Sequence, residues 1–169
     1  SKTYSDYEEN LFYVFKECHR ILKKDAKMLM TFNNKDLNSW LALFVSIFRA
    51  GFHFKPEGIT FQDGVSHYKT TSHTKAKGSP YGDFVYEFTN TSLNKKSNYK
   101  IQDFPKDLNL LLEKSKIDYE NGRERSKVII ELFNGAIPRL ENFINSNHFE
   151  NTHDIYNIFN KKQLDFLYK

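Results

Sequence analysis

The sequence predicts an α/β fold, in which helices accompany a small sheet of three or four strands and a helical region follows. Three observations predict it. Over residues 1–90, segments with apolar residues three and four positions apart alternate with short apolar or period-two runs, as helices and strands do. A long segment rich in lysine and glycine precedes the last of these runs. After residue 90 only helical spacing recurs.

Composition bounds the class of protein. The chain has 169 residues, of which 39% are hydrophobic and 16% aromatic, so we expect a packed core and no global disorder. No apolar run approaches the length of about 18 residues that spans a bilayer, so no membrane partner is expected. The polar start shows no signal peptide, and we expect a piece of a longer protein or a subunit whose other half is elsewhere.

One cysteine, Cys18, excludes an internal disulfide and a zinc site built on cysteines, so an intracellular, cytoplasmic location is expected. The net charge of +4 modestly favours a polyanionic partner.

Local sequence patterns predict the first helix and the first strand. A capping box of Ser5 and Glu8 predicts the start of a helix whose apolar face runs from Leu11 to Leu22. The run 27–32 predicts a buried strand, and 33–36 its exit turn.

A second helix is expected after Asp36, which is a good N-cap, and Gly51 is placed to end it in the left-handed conformation. Its predicted buried stripe comprises Leu37, Trp40, Leu41, Phe44, Ile47 and Phe48. A strand broken by Pro56 follows over 52–62, and the strand–helix–strand unit should be a right-handed parallel crossover. After a basic loop over 63–82, the period-two run 83–89 predicts a last strand, antiparallel to its neighbours because it follows a loop.

Beyond residue 90 the composition changes. The polar stretch 91–98 predicts a linker, and 99–169 predicts a helical region. Helices are expected near 105–119, 123–144 and 152–167. Gly135 and Pro138 are expected to bend or break the second of them.

Three stretches together resemble class I S-adenosylmethionine-dependent methyltransferases. FKECHRILKKDAKMLMTFNNKD at 15–36 is similar to the helix and fifth strand of that family, and WLALFVSIFRAGF at 40–52 to its next helix. HTKAKGSPYGDFVYEF at 73–88 resembles the loop and closing strand of large prokaryotic adenine-specific DNA methylases. The resemblance implies that residues 1–90 form the C-terminal portion of the catalytic domain, with a partial Rossmann-like sheet.

The departures from the family are as informative. The chain lacks the glycine-rich turn that binds the methyl donor. It also lacks the Asp/Asn-Pro-Pro-Tyr/Phe motif that receives a flipped base, and its nearest match is Ser79-Pro80-Tyr81. The resemblance therefore implies S-adenosylmethionine in the full-length enzyme, no cofactor bound by this chain alone, and no catalytic residue here. The missing strands would lie upstream or on another polypeptide.

Candidate contacts to DNA come from the ends of the predicted strands. In open α/β sheets, ligands bind beyond the carboxyl ends of the parallel strands, and the basic loop should lie on that side. Lysines there would neutralise phosphates, and hydroxyl groups and backbone N–H groups would fix register. The candidates are Asn33, Asn34, Lys35, Lys69, His73, Lys75, Lys77, Gly78, Ser79 and Asp83. The alternative for each is a turn, a helix cap or a solvated loop, and no metal ligand set is expected.

The expected function is therefore that of a C-terminal part of a DNA methyltransferase, which would transfer methyl to DNA, at adenine N6, and to which this chain contributes a DNA-facing loop. The alternative is a non-catalytic, methyltransferase-like module that binds nucleic acid or a catalytic partner subunit. A methyltransferase of another substrate class is a third, weaker option.

Overall fold

The first helix, α1 (Tyr4–Ile21), begins two residues earlier than the sequence predicts. A computed structural model describes residues 3–34, 36–63, 82–91, 103–146 and Tyr156. Within it, Thr3 caps α1: Thr3 Oγ1 accepts from the Asp6 N–H at 3.2 Å, and Asp6 Oδ2 accepts from the Thr3 N–H at 2.8 Å. The predicted capping box of Ser5 and Glu8 is wrong, because Glu8 is instead a buried carboxylate, 1% exposed.

The second helix, α2 (Leu37–Arg49), has the predicted cap, stripe and end. Asp36 accepts a hydrogen bond from the Asn38 N–H at 3.3 Å, and all six predicted stripe residues are buried. At the other end Gly51 has φ +95°, and the N–H groups of Gly51 and Phe52 return to Phe48 and Ile47. This pair of bonds is a Schellman ending, which needs a residue that tolerates positive φ.

Three strands form one antiparallel sheet in the order β1–β3–β2, where β1 is Lys27–Phe32, β2 is His53–Asp63 and β3 is Gly82–Thr89. The prediction that the last strand is antiparallel to its neighbours is confirmed, since β3 pairs antiparallel with both other strands. β1 and β2 therefore run parallel to each other, as the predicted crossover requires, but β3 lies between them.

β2 is interrupted as its proline predicts. Its register with β3 shifts between Phe54 and Ile59, and the intervening Pro56 and Glu57 are exposed, with Glu57 at φ 57°. A proline cannot donate to a ladder, and a bulge removes that need.

β1 departs from the prediction of a buried strand. None of its residues is buried: Met28, Met30 and Phe32 are partly covered, whereas Leu29 on the other face is 66% exposed. The reason is its place in the sheet. Within the described residues β1 pairs only with β3, so it is an edge strand.

The core lies between one face of the sheet and the helices, and Trp40 is at its centre. The Trp40 ring stacks on Phe133 at 4.3 Å and meets the edges of Phe32 and Tyr86 at 4.9 and 5.4 Å. Its indole N–H donates to the Asn34 carbonyl at 2.6 Å. β3 contributes Phe84, Tyr86 and Phe88 to this core, in the predicted alternation. Trp40 thus connects β1, β3, the turn after β1 and the helix that carries Phe133.

The helical region contributes α3 (Asp103–Glu120) and α4 (Arg125–Ser146), which pack on α2 in the same core cluster. The predicted break at Gly135 and Pro138 is wrong, because α4 is continuous through both. Pro138 costs the helix one N–H donor, and apolar residues on either side of it, Ile137 and Leu140, stay buried. The predicted linker lies outside the described residues except for Thr91, as does the third predicted helix except for Tyr156, which is helical.

α4 also covers the start of β2. Glu141, 9% exposed, accepts from the Phe54 N–H at 3.1 Å and lies 2.8 Å from His53 Nδ1. The carboxylate therefore satisfies a backbone donor on the outer edge of the sheet.

A buried ion pair joins α1 to α2. Arg49 Nη1 donates to Glu8 Oε1 at 2.7 Å and to Glu9 Oε2 at 3.1 Å. The Tyr156 hydroxyl donates to the second oxygen of Glu8 at 2.5 Å, and its ring stacks on Tyr4. Burial, reinforced by the bond to Glu8, raises the pKa of Tyr156 well above its usual range.

Glu8 and Glu9 offer a matched test of burial, because both bind Arg49 but Glu9 is 47% exposed against 1% for Glu8. We expect Glu8→Ala to lower the free energy of unfolding by about 3 kcal/mol, since, among the described residues, it removes the only buried carboxylate that binds Arg49 and leaves the Tyr156 hydroxyl without this acceptor. Glu9→Ala should change it by less than about 1 kcal/mol. Urea unfolding of both variants checks this, and equal losses would contradict it.

Candidate functional site

The candidate site lies where the carboxyl ends of β1 and β2 meet the amino end of β3. Asp63, the last residue of β2, pairs with Gly82, the first of β3, and Phe32 at the end of β1 pairs with Phe84. Segment 64–81 therefore leaves and re-enters the sheet at one point, beside the turn that follows β1. The two described ends of the basic segment, Asp63 and Gly82, thus lie at the same end of the sheet as this turn.

The Asn33 side chain joins the turn after β1 to Gly82, where segment 64–81 re-enters the sheet. Its Nδ2 donates to the Gly82 carbonyl at 2.7 Å across the end of the sheet. Its Oδ1 is buried and has no hydrogen-bond partner among the described residues. An unsatisfied buried acceptor costs free energy, so this atom is a ready acceptor for a donor that reaches the base of the segment.

Gly82 allows β2 and β3 to approach closely at this point. A Cβ on Gly82 would lie 2.3 Å from the Gln62 carbonyl oxygen and 2.6 Å from the Phe61 ring. The backbone oxygen cannot move without disturbing the β2–β3 ladder. The glycine is therefore required by packing, independently of any ligand.

Asn34 and Asp36 organise the turn into α2. Asn34 Oδ1 accepts from the Asp36 N–H at 2.9 Å. Asp36 Oδ2 accepts from the hydroxyls of Ser39 and Tyr4, at 3.0 and 2.6 Å. The hydrogen bond to Asp36, together with burial, raises the pKa of the Tyr4 hydroxyl. Asn34 thus has a turn role, whereas the cap of α2 is Asp36.

The structure brings together Asn33, Gly82 and the exposed Asp83, and places Asn34 in the adjoining turn. The other predicted site residues lie outside the described part of the chain: Lys35, Lys69, His73, Lys75, Lys77, Gly78 and Ser79. Their contact with DNA stays a prediction. Tyr86 of β3 is fully buried beside Trp40 and belongs to the core.

Sequence reasoning missed a bridge of charges on the open face of the sheet. Glu87 lies in β3 between Lys27 of β1 and Lys55 of β2, with N–O distances of 2.9 and 3.0 Å. The hydrogen bonds from Lys27 and Lys55 lower the pKa of the Glu87 carboxyl. The alternation of the strands could have predicted the face, but not the partners, because the bulge in β2 shifts the register.

The cavity between α2 and the C-terminal helices is small and apolar. It measures about 30 Å³, and every lining side chain is apolar, Trp40, Phe104 and Phe133 included. Such a cavity fits neither the charged sulfonium nor the hydroxyl groups of S-adenosylmethionine. Among the described residues, no three His, Cys, Asp or Glu side chains are grouped as a metal site requires. No helix in that part of the chain is long and apolar enough to cross a membrane.

No family model, curated protein or solved structure matches this chain.

Gly82→Ala tests whether the base of the segment is set by packing. We expect a loss of about 1–3 kcal/mol in the free energy of unfolding, because the new methyl group overlaps the Gln62 carbonyl. The neighbouring Asp83→Ala, on an exposed side chain, should stay within about 0.5 kcal/mol. Chemical denaturation compares the two, and a neutral Gly82→Ala would show that the strands do not meet as described.

Proposed function

We propose that this chain is the closing part of a cytoplasmic S-adenosylmethionine-dependent DNA methyltransferase acting on adenine N6, and that its segment 64–81 faces DNA. The observation that favours this most is the strand arrangement. β3 runs antiparallel to β1 and β2, which are parallel to each other, and the helix α2 connects β1 to β2. The resemblance to class I methyltransferases implies such an antiparallel closing strand.

The position of the basic segment supports a role in DNA binding. It starts at the carboxyl end of β2 and ends at the amino end of β3, beside the carboxyl end of β1. Open α/β sheets bind ligands at the carboxyl ends of their parallel strands. Its lysines, Lys69, Lys75 and Lys77, supply the positive charge that phosphate contacts need. The Oδ1 of Asn33, which is buried and has no hydrogen-bond partner within the described part of the chain, lies at the same point, where it can accept from the incoming segment or from a ligand.

The cavity between α2 and the C-terminal helices is apolar, which does not suit the methyl donor, and the chain has no glycine-rich turn to bind it. In the proposed enzyme the donor is therefore bound by the part that carries a glycine-rich turn. The role of this chain is to complete the sheet and to bind the DNA backbone.

The alternative, a non-catalytic module that binds nucleic acid or a catalytic partner, is favoured by one specific observation. The chain contains neither a glycine-rich turn nor a Pro-Pro pair. The two proposals differ in whether a second polypeptide with those motifs makes the assembly methylate DNA.

The DNA-binding part is tested by fluorescence anisotropy with a labelled duplex over a series of salt concentrations. We expect the triple variant Lys69→Ala, Lys75→Ala, Lys77→Ala to weaken binding at low salt at least tenfold. The slope of log K against log salt should fall by about 1 for each lysine that contacts phosphate.

The matched control removes the same charge from α3, through Lys106→Ala, Lys114→Ala and Lys116→Ala, all exposed. Its affinity and salt slope should stay near those of the wild type. Equal weakening by both triple variants would show that the loss of affinity comes from net charge and not from segment 64–81. An absence of binding by the intact protein at low salt would refute the DNA-facing role.

A further inference from the structure

Tyr156 lies far along the chain from the helix that it contacts. Its hydroxyl donates to Glu8 Oε2 at 2.5 Å, and its ring stacks on Tyr4 with the ring centroids 6.0 Å apart and the planes at 23°. The Glu8 side chain is 1% exposed, and its other oxygen binds Arg49. A buried carboxylate needs donors on both oxygens, so the Tyr156 side chain has a defined place at the start of α1.

Tyr4 connects Tyr156 to the turn after β1. The Tyr4 hydroxyl donates to Asp36 Oδ2 at 2.6 Å, and the other oxygen of Asp36 accepts from the Asn38 N–H, which caps α2. The Asp36 N–H donates to Asn34 Oδ1 at 2.9 Å, which closes the turn. Tyr4 is only half-buried, so the ring stacked on it restricts the directions in which its hydroxyl can point.

The same turn holds Asn33, whose Nδ2 donates to the Gly82 carbonyl at 2.7 Å. Gly82 is the residue at which segment 64–81 re-enters the sheet. An unbroken series of contacts therefore runs from Tyr156 through Tyr4 and the turn to the base of the segment.

We propose that Tyr156 is a positioning residue for the candidate site: its ring fixes Tyr4, Tyr4 fixes the turn at Asp36, and the turn sets the base of segment 64–81. The C-terminal part of the chain thereby controls how tightly the segment binds DNA. This second statement rests on the proposed function, whereas the first concerns the turn alone. Because the route passes through the ring of Tyr156 and the hydroxyl of Tyr4, the two groups can be tested separately.

The effect on the turn is measured by hydrogen–deuterium exchange of the full chain, without DNA. Tyr156→Ala removes the stack, and Tyr4→Phe removes the bond to Asp36. We expect each variant to speed exchange of the Asp36 and Asn38 N–H groups at least fivefold more than it speeds exchange in β3. The comparison with β3 separates loosening of the turn from a loss of overall stability.

The effect on the site is measured by fluorescence anisotropy with a labelled duplex at low salt. Tyr156→Ala and Tyr4→Phe should each weaken DNA binding at least fivefold. The double variant should bind no more than about twofold more weakly than either, because both changes act through the same hydrogen bond. Tyr156→Phe keeps the stacked ring, so its affinity should stay within about twofold of the wild type although its bond to Glu8 is lost.

Two further variants are controls. Tyr13→Ala removes a tyrosine from the same helix, at a position that is 58% exposed. Ile129→Val removes one methyl group from a fully buried position in α4, which lowers stability without touching this series of contacts. Both should keep the DNA affinity of the wild type and its rate of exchange in the turn relative to β3.

Unchanged exchange in the turn of Tyr156→Ala would overturn the proposal. So would an equal loss of affinity in Tyr156→Phe and Tyr156→Ala, or a loss in Ile129→Val as large as that in Tyr156→Ala, which would make overall stability the cause. Faster exchange in the turn of a protein that binds no DNA as the wild type would refute the proposed function and leave Tyr156 as a positioning residue of the turn. DNA binding by the wild type, with exchange in the turn unchanged in both variants, would do the reverse.

Discussion

A three-stranded sheet has two edges, and the backbone N–H and C=O groups along each edge need partners. In this chain the strand order β1–β3–β2 makes β1 and β2 the edges. Helix α4 and a bulge protect β2, while β1 has no such protection among the described residues. The two edges of the sheet therefore differ in how they are covered. The aromatic core lies on one face of the sheet and α4 covers the start of β2, whereas Leu29 on the other face of β1 is exposed.

The covered side depends on α2, which is buried on nearly every face. Trp40 connects the sheet, the turn after β1 and the C-terminal helices through ring contacts and one hydrogen bond. Asn33 lies in the same turn, and its side chain donates to the Gly82 carbonyl. The place where segment 64–81 joins the sheet is thus determined by the core. A site at this edge would be positioned by rigid elements, which is what precise recognition of a ligand requires.

Much of the fold was predictable because local chemistry decides it. Asp36 and Gly51 mark the ends of α2, and the alternation of Phe84, Tyr86 and Phe88 gives the buried face of β3. The errors arose where tertiary contacts override local patterns. Glu8 fits a capping box by spacing but is buried against Arg49, and Pro138 is accommodated in α4 by the packing around it. The run 27–32 looks buried because sequence cannot show which strands lie beside it.

The candidate site was predicted in part. Strand ends and a turn located Asn33 near the base of the basic segment, since the direction of each strand fixes which ends meet. The hydrogen bond from Asn33 to Gly82 was not predictable, because it joins residues far apart in the chain. The same holds for the Lys27–Glu87–Lys55 bridge, whose partners depend on a bulge. Local patterns locate a site on the sheet, whereas its contacts depend on register.

Hydrogen–deuterium exchange of the isolated chain tests the central claim, that the sheet is closed at β2 and open at β1. The account predicts slowest exchange in β3, intermediate exchange at the start of β2, where Glu141 accepts from Phe54, and fastest exchange in β1. Protection of β1 equal to that of β3 in the isolated chain would contradict the account.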